Sequence, residues 1–522
     1  MLRIIAAYAL FTVCEFGLWI AMLVYAYDHG GATTAGLVAV AQLLPAAGVA
    51  LVVAPLAERW SPVAVLMGGY AVQAAGGLAT AALLLGSAEP PAVYAGAVVT
   101  SAAMAATRPC QAALLPASAS HADQLTAGNV AIGWAENAGV LVAGAAVGVV
   151  LAFGSVGDAY LAGAVLLLCS LVLVAPLRAG PGPSRAPARR SSSPALPRPA
   201  RLLVGLLALE NLVVGALDLL FVVMAIDVLD AGDAWVGFLN TAYGVGAVVL
   251  GMLGAFLVGR RLGPVVVGTA ATLGLALAAT TVARLVLVAV LLTAVGGART
   301  LFDTSVRVLL QRSVPPGRLA RLFGVSEGLD MVFLAAGALV VPVLVGLGGA
   351  TLALLGTAAL LPLVVLVRMP ALLRIDAAAR LPVVEIALLQ QVQLFRALPS
   401  EALEGLALAL EEVDAEAGTV LMREGEPGDS YYVIAQGSVE IRQQGRAIAT
   451  LGRAEGLGEI ALLRSTPRTA TAVAMDRVTA FRLDREPFLT AVLGHAPTLA
   501  GAHDVVRDTM DRDAARSREP EL

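Results

Sequence analysis

Leu457-Gly458-Glu459-Ile460-Ala461-Leu462-Leu463-Arg464-Ser465-Thr466-Pro467-Arg468-Thr469-Ala470-Thr471 decides how the C-terminal quarter of this chain folds. Ile460 to Leu463 begins a short helix just after Gly458, and Arg468 follows beyond a proline. A guanidinium offers an oxyanion paired donors that stay charged at any relevant pH. The N–H groups at a helix start point the same way, and a preceding glycine permits close approach. Glu459 is out of place beside an anion unless it accepts a hydrogen bond from a hydroxyl of the same ligand.

The flanks extend the pattern. Upstream, Gly425-Glu426-Pro427-Gly428-Asp429-Ser430-Tyr431-Tyr432-Val433-Ile434-Ala435-Gln436-Gly437 reads as a turn, a strand and a tight turn. Strands are expected at Val433 to Ile434, Val439 to Ile441, Ile448 to Leu451, Thr471 to Ala474 and Val478 to Leu483, all short and rich in β-branched residues. Leu394 to Glu412 is helical in pattern, as are Glu486 to Leu493 and Pro497 to Met510. Together these predict a small jelly-roll-like β-roll with flanking helices over 388–510, followed by a polar tail at 511–522.

With those motifs in place, the segment resembles the cyclic nucleotide-binding domains. The resemblance implies a cyclic phosphate held by Arg468 and the Gly458, Ile460 and Ala461 backbone, with Glu459 on the ribose 2′-hydroxyl. Thr469 stands where that family often carries Thr or Ser in cyclic GMP-preferring members. Because Thr also occurs in cyclic AMP binders, both nucleotides remain candidates as a regulatory ligand, and no cofactor is expected.

The remainder is governed by composition: 58% hydrophobic and 14% charged over 522 residues, with a mean hydropathy of +0.84. Apolar windows of about 20 residues, enough to cross a bilayer core, recur at Ile4 to Ala26, Gly36 to Ala57, Pro62 to Leu85, Ala92 to Ala113, Thr126 to Phe153 and Ala159 to Leu177. Six more fall at Leu202 to Val228, Ala234 to Val258, Pro264 to Ala283, Leu285 to Val308, Leu322 to Val345 and Ala350 to Val367. The expected fold is an all-α polytopic membrane domain of twelve spans plus the β-roll. The first apolar run is too long for a signal peptide and lacks a convincing small-residue cleavage site.

All 34 basic residues are arginine. With the N-terminus inside, Arg3, Arg59, Arg108, the run from Arg178 to Arg201, Arg260, Arg261, Arg312, Arg318 and Arg321 fall on the inner side. Asp28, Glu89, Asp158, Asp230 and Asp233 fall outside, with Arg284 the exception. This positive-inside bias puts the β-roll in the cytosol, below a cell membrane. A Pro-, Ser- and Arg-rich linker at 178–201 divides the spans six and six, as halves 1–177 and 202–369, and a second linker covers 370–387.

The halves echo each other. Arg108, Gly133 and Glu136 recur at one constant offset as Arg299, Gly324 and Glu327. Glu58-Arg59-Trp60-Ser61-Pro62 likewise pairs with Arg260-Arg261-Leu262-Gly263-Pro264. Parallel six-helix repeats are the organisation of the major facilitator superfamily, and the spans resemble that family, above all its bacterial exporter-like members. The family's loop signature after the second helix is degraded here to Ala54-Pro55-Leu56-Ala57-Glu58-Arg59, while the copy at Gly254 to Arg261 keeps more of it.

An ionised group at a helix centre costs about 2.5–3.5 kcal/mol on insertion scales, so it needs a partner or a watery cavity. Glu15 and Glu210 lie at similar depths in the two halves, and Asp218 lies two turns beyond Glu210. The resemblance implies that the first, fourth, seventh and tenth helices line a central cavity, which makes Glu15, Glu210, Asp218 and Asp303 candidates for substrate contact or proton carriage. The plainer alternative is that each bonds a neighbouring helix. Arg108 with Glu136, and Arg299 with Glu327, are expected to form one structural or gating ion pair per half.

Cys14, Cys110 and Cys169 are isolated, and the four histidines have no ligand spacing. No phosphate loop or nucleophile elbow appears, so no enzyme and no metal site are expected. A net charge of −4 without a basic stripe gives nucleic acid no foothold. The expected function is a proton-coupled exporter of a small molecule, regulated from the cytosol by cyclic nucleotide through movement of Pro497 to Met510. The alternative is a membrane-anchored nucleotide sensor or scaffold that moves nothing.

Overall fold

The computed structural model describes residues 2–59, 62–104, 107, 110–111, 114, 122–177, 198–252, 257, 260–282, 284–314, 316–379, 382–396, 398, 400–464 and 466–493. Residues 178–197 of the linker expected at 178–201, the Pro497 to Met510 helix, the 511–522 tail and Arg108 lie outside the described residues, as does the side chain of Glu327, while Arg198 to Arg201, expected in the linker, begin a helix that runs to Val223. The chain separates into two compact units, one essentially within 1–379 and the other essentially 380–522.

The first unit is helical: α1 (Leu2–Arg59), α2 (Pro62–Leu85), α3 (Pro90–Met104), α4 (Ala122–Phe153), α5 (Val156–Val174), α6 (Arg198–Val223), α7 (Ala234–Gly251), α8 (Gly263–Ala279), α9 (Leu285–Ser313) and α10 (Pro316–Ala378). Their outward faces are apolar, with Phe153 90% and Val282 89% exposed, a surface that suits lipid and not water. Among the described residues, eight helices are long and apolar enough to cross a membrane.

Twelve spans are expected, and the shorter count has visible reasons. The apolar stretches Leu2–Ala46 and Gly328–Ala378 each exceed twice the ~20 residues of one crossing. They break at Gly30–Gly31 and Gly348–Gly349, where Gly31 (φ +63°) and Gly349 (φ +72°) take the left-handed conformation that glycine tolerates best. The fourth and fifth expected spans fall on α3 and on Ala138–Phe153, whose described apolar stretches are shorter. The stretch 370–387, expected to be a linker, is mostly helical, because α10 continues to Ala378 and α11 (Val383–Leu389) follows closely.

Glycines set the close crossings. A Cβ on Gly36 of α1 would sit 2.6 Å from the Ala338 carbonyl of α10, and one on Gly144 of α4 would sit 2.8 Å from the Gly237 carbonyl of α7. Both crossings join a helix that begins before residue 178 to one that starts after residue 198. Gly139 and Gly148 seat α4 against Thr12 and Phe238 in the same way, small residues letting helices approach closely.

The end of α10 is capped reciprocally with the start of α8. Asp376 Oδ1 accepts from the Leu262 N–H at 3.0 Å, while Arg261 Nη1 donates to the Asp376 and Ala379 carbonyls, the latter at 3.4 Å. Asp376 is buried, and Gly263 leaves room for it.

The second unit is a β-roll. After α11 come a 3₁₀ turn (Gln393–Phe395) and α12 (Ser400–Ala409), then β1 (Glu411–Ala415), β2 (Val420–Met422), β3 (Ser430–Gln436), β4 (Val439–Gln443), β5 (Arg446–Leu451), β6 (Gly456–Leu457), α13 (Glu459–Arg464), β7 (Thr471–Ala474), β8 (Val478–Asp484) and α14 (Arg485–Leu493). Two antiparallel sheets run in the orders β1-β8-β3-β6 and β2-β7-β4-β5.

Inward-facing Ile434, Val439, Ala472, Ala474, Val478 and Ala480 fill the space between the sheets, following the two-residue alternation of strands. The β4–β5 hairpin turns on Gln444 (φ +50°) and Gly445 (φ +81°), the two-residue geometry that matches strand twist. Glu411 and Glu412, read as a helix end, instead start β1, where they pair with Arg482 and Phe481. The helical pattern was carried by the leucines of α12 and gave no boundary of its own.

Candidate nucleotide-binding site

The turn from β6 into α13 forms one wall of a cavity of about 360 Å³, lined among others by Tyr431, Ile441, Gly458, Glu459, Arg468 and Thr469. That size lies at the low end of the ~300–1,000 Å³ typical of small-molecule sites. Gly458 has φ +97°, and a side chain there would run into the Arg468 guanidinium. Backbone turn and arginine therefore occupy space that only glycine leaves.

Arg468 is 5% exposed. Its Nη1 donates to the Gly458 carbonyl at 3.0 Å and its Nη2 to the Ser430 carbonyl at 2.6 Å, with Asp429 Oδ1 at 3.8 Å. The Arg468 backbone is also clamped, its N–H to the Glu426 carbonyl at 2.8 Å and its carbonyl to the Gly425 N–H at 2.9 Å. Burial lowers the Arg468 pKa from its ordinary value, so the site has lost water around a cation. Those two bonds use only part of the guanidinium's five donors. What the cavity offers is a desolvated, rigidly aimed cation, a setting for a phosphate.

Glu459, at the first position of α13, is buried beside this cation. Ala461 packs on Gly428, where a Cβ would approach its own at 2.5 Å, and this contact seats the β2–β3 turn on α13. Thr469 uses its carbonyl to accept from Gln443 Nε2 at 3.3 Å. Gly458, Glu459, Ile460, Ala461, Arg468 and Thr469 thus line one cavity, as the motif predicts. The sequence did not single out Ser430, whose backbone carbonyl no side-chain pattern reveals, nor the apolar cavity wall at Ile441, Ala449 and Leu451.

In the helical unit the ionisable candidates split. Arg299 Nε lies 2.5 Å from Glu210 Oε1, and Asp303 accepts from Arg307 Nε at 2.8 and 2.9 Å, with Asp330 Oδ2 3.8 Å from Arg307 Nη2. Glu210 thus pairs with Arg299, and Asp303 with Arg307, which also approaches Asp330; sequence inspection passed over Arg307 and Asp330. The sequence pairs Arg299 with Glu327 by repeat symmetry; the Glu327 side chain lies outside the described residues, and among the described ones Arg299 meets Glu210.

Asp218 stands apart and accepts from Trp19 Nε1 at 3.1 Å, joining α6 to α1; Tyr27 and Asp227 join the same two helical stretches. Glu15 and Glu136 are half-buried.

A polytopic apolar helical unit, joined in one chain to a β-roll holding a buried arginine in its ligand cavity, defines a membrane protein with an attached sensor module. Residues 4–230 match the Major Facilitator Superfamily and residues 412–495 match the cyclic nucleotide-binding domain. The chain thus carries a helical part that matches the Major Facilitator Superfamily and a C-terminal cyclic nucleotide-binding domain, and neither match is to a family of enzymes.

It is similar to the cAMP-dependent protein kinase regulatory subunit of Dictyostelium discoideum, 33% identical over 108 residues, 19% of this chain and 33% of that protein. The Yarrowia lipolytica counterpart is 35% identical over 112 residues, 20% of this chain and 30% of that one. The chain thus spans about a third of the length of the curated relatives it matches. Among solved structures, the regulatory domain of Toxoplasma gondii PKA co-crystallised with cAMP is 30% identical, covering 22% of this chain and 44% of that one at a TM-score of 0.21.

Proposed function

We propose that the protein is a proton-coupled exporter of a small molecule whose transport cycle is set by cyclic AMP or cyclic GMP bound in the cytoplasm. The carrying observation is the buried Arg468, clamped at backbone and guanidinium, with Gly458 and Glu459 at the same cavity. In this reading Arg468 and the start of α13 hold the cyclic phosphate, and Glu459 accepts the ribose 2′-hydroxyl.

Twelve spans in a six-plus-six arrangement would place the N-terminus and the β-roll on the cytoplasmic side of the cell membrane, following the arginine bias. Glu210 and Asp303, charge-paired in the second half, and Asp218, hydrogen-bonded to the first, are the groups we assign to proton carriage and gating, with Glu15 as the corresponding acid of the first half. The Glu210–Arg299 pair between α6 and α9 and the Trp19–Asp218 bond between α1 and α6 support that role, because a bond across two helices must be remade when the helices part.

Control reaches the membrane part through the end of α10. The reciprocal cap between Arg261 and Asp376 ties the helix that leads into the β-roll to the start of α8. A ligand shifts a two-state equilibrium only by its differential affinity, and a hundredfold shift needs about 2.7 kcal/mol.

Proton release from inside-out vesicles, with cyclic nucleotide added to the cytoplasmic face, tests the proposal. The rate should change in the wild type and lose that response in Arg468→Ala. A nucleotide response with no transport in any variant would favour a tethered sensor instead.

A further inference from the structure

Two side-chain bonds join α1 to the helix of the second half that begins as α6, and they are out of step by one residue. Trp19 Nε1 donates to Asp218 Oδ2 at 3.1 Å, and further along both helices the Tyr27 hydroxyl donates to the Asp227 carboxylate. The numbers rise together, so the helices run parallel here, yet the offset between partners grows from 199 to 200. Two uninterrupted α-helices would keep one offset, because each residue turns either helix by about 100°. Left α-helical throughout, the second helix would bring Ile226 round to Tyr27 and leave Asp227 about 100° to one side.

The extra residue is taken up between the two bonds. Met224–Val228, which continues α6, is a π turn, and the Leu229 N–H donates to the Met224 carbonyl at 2.9 Å, five residues back. Such a turn inside an α-helix is rare and is frequent at functional sites. Met224 and Ala225 are 0% exposed, so the turn is packed into the protein and is not a frayed end. Tyr27 is buried too, and a buried phenol needs an acceptor. We propose that this π turn is the register device of a latch: it brings Asp227 round to Tyr27, and their bond holds shut the end of the two helices beyond Trp19, the outer end in the topology given above. The inference rests on the transporter reading, in which these helices part during each cycle, and adds a contact that must break on the outer side.

The test follows labelling of Leu23→Cys by a membrane-impermeant maleimide applied outside right-side-out vesicles, in full-length protein carrying Cys14→Ala, Cys110→Ala and Cys169→Ala. Leu23 is 2% exposed and lies one turn before Tyr27 on α1, so labelling follows the outward-open population. Tyr27→Phe should raise the rate about tenfold, the factor that ~1.4 kcal/mol of hydrogen bonding supplies. Ile226→Asp with Asp227→Ile keeps the composition but moves the carboxylate one position out of register, and should raise the rate as much. Deletion of Ile226 removes the extra residue and leaves the carboxylate in register on a plain α-helix; its rate should stay within about twofold of the background, ~0.4 kcal/mol. An unchanged rate in Tyr27→Phe or in the exchanged variant overturns the inference, as does a deletion variant that labels as fast as Tyr27→Phe. If the deletion does not fold, the exchanged variant decides. Proton release, measured in inside-out vesicles of the same variants, keeps the two readings apart. Release that persists while labelling fails to move overturns the latch alone, and labelling that follows the latch without release retains the latch and overturns proton-coupled export.

Discussion

Arg299 of α9 places its Nε 2.5 Å from Oε1 of Glu210 on α6, a carboxylate with 0% exposure. Two helices, α6 and α9, are therefore joined by an ion pair whose carboxylate is buried and whose arginine is 29% exposed. The pair costs desolvation to form, and breaking it leaves a buried charge uncompensated. Glu210→Ala should lower stability by roughly 3–5 kcal/mol, read as a fall in thermal unfolding midpoint in detergent. Changing both residues, Glu210→Gln with Arg299→Gln, should cost less than Glu210→Ala alone. An additive double variant would mean the two groups do not act as a pair.

The Trp19–Asp218 bond crosses from the first half to the second. Losing a hydrogen bond to a charged acceptor costs about 1.5–3 kcal/mol, so Trp19→Phe should shift the balance between inward- and outward-facing forms by a factor of ten or more. Cysteine accessibility on the two faces of reconstituted protein measures that shift. Asp218→Asn should abolish proton-coupled flux while preserving nucleotide binding, and full coupled flux in that variant would remove Asp218 from the proton path.

At the nucleotide cavity, shape and charge separate cleanly. Arg468→Lys keeps the charge but not the planar fork that reaches both the Gly458 and Ser430 carbonyls. It should bind cyclic AMP at least tenfold more weakly than wild type, and Arg468→Ala more weakly still. Gly458→Ala should be as harmful as Arg468→Ala, because its φ of +97° and the adjacent guanidinium both exclude a Cβ. Near-wild-type affinity for Gly458→Ala would show that the turn is free to rearrange.

How much of this was legible depended on what each feature leaves in the chain. Five of the eight described strands of the β-roll could be read, among them Thr471 to Ala474 and Val478 to Leu483, which alternate and are separated by the turn Met475-Asp476-Arg477, whereas β1, β2 and β6 could not. Gly458, Glu459 and Arg468 were visible as a motif because each needs a particular side chain, or none. Pairings were not visible. Arg299 has carboxylates one helix away in several directions, and only packing selects Glu210. Hydropathy separated the first two and the last two spans, and the backbone conformation places those breaks at Gly30–Gly31 and Gly348–Gly349.

The cap at the end of α10 gives a regulatory prediction. Asp376→Ala removes the acceptor for the Leu262 N–H and loosens the carbonyls held by Arg261. Nucleotide should still bind the β-roll within about threefold of wild type, a range set by ~0.6 kcal/mol, but its effect on proton release in vesicles should fall by half or more. An unchanged response would route the coupling elsewhere.

The most direct check on the whole account is calorimetry of the intact protein with cyclic AMP and cyclic GMP, alongside Arg468→Ala. Saturable heat with one nucleotide per chain, absent in the variant, is the predicted result. A wild type that gives no heat with either ligand, or a variant that binds as the wild type does, would contradict the account.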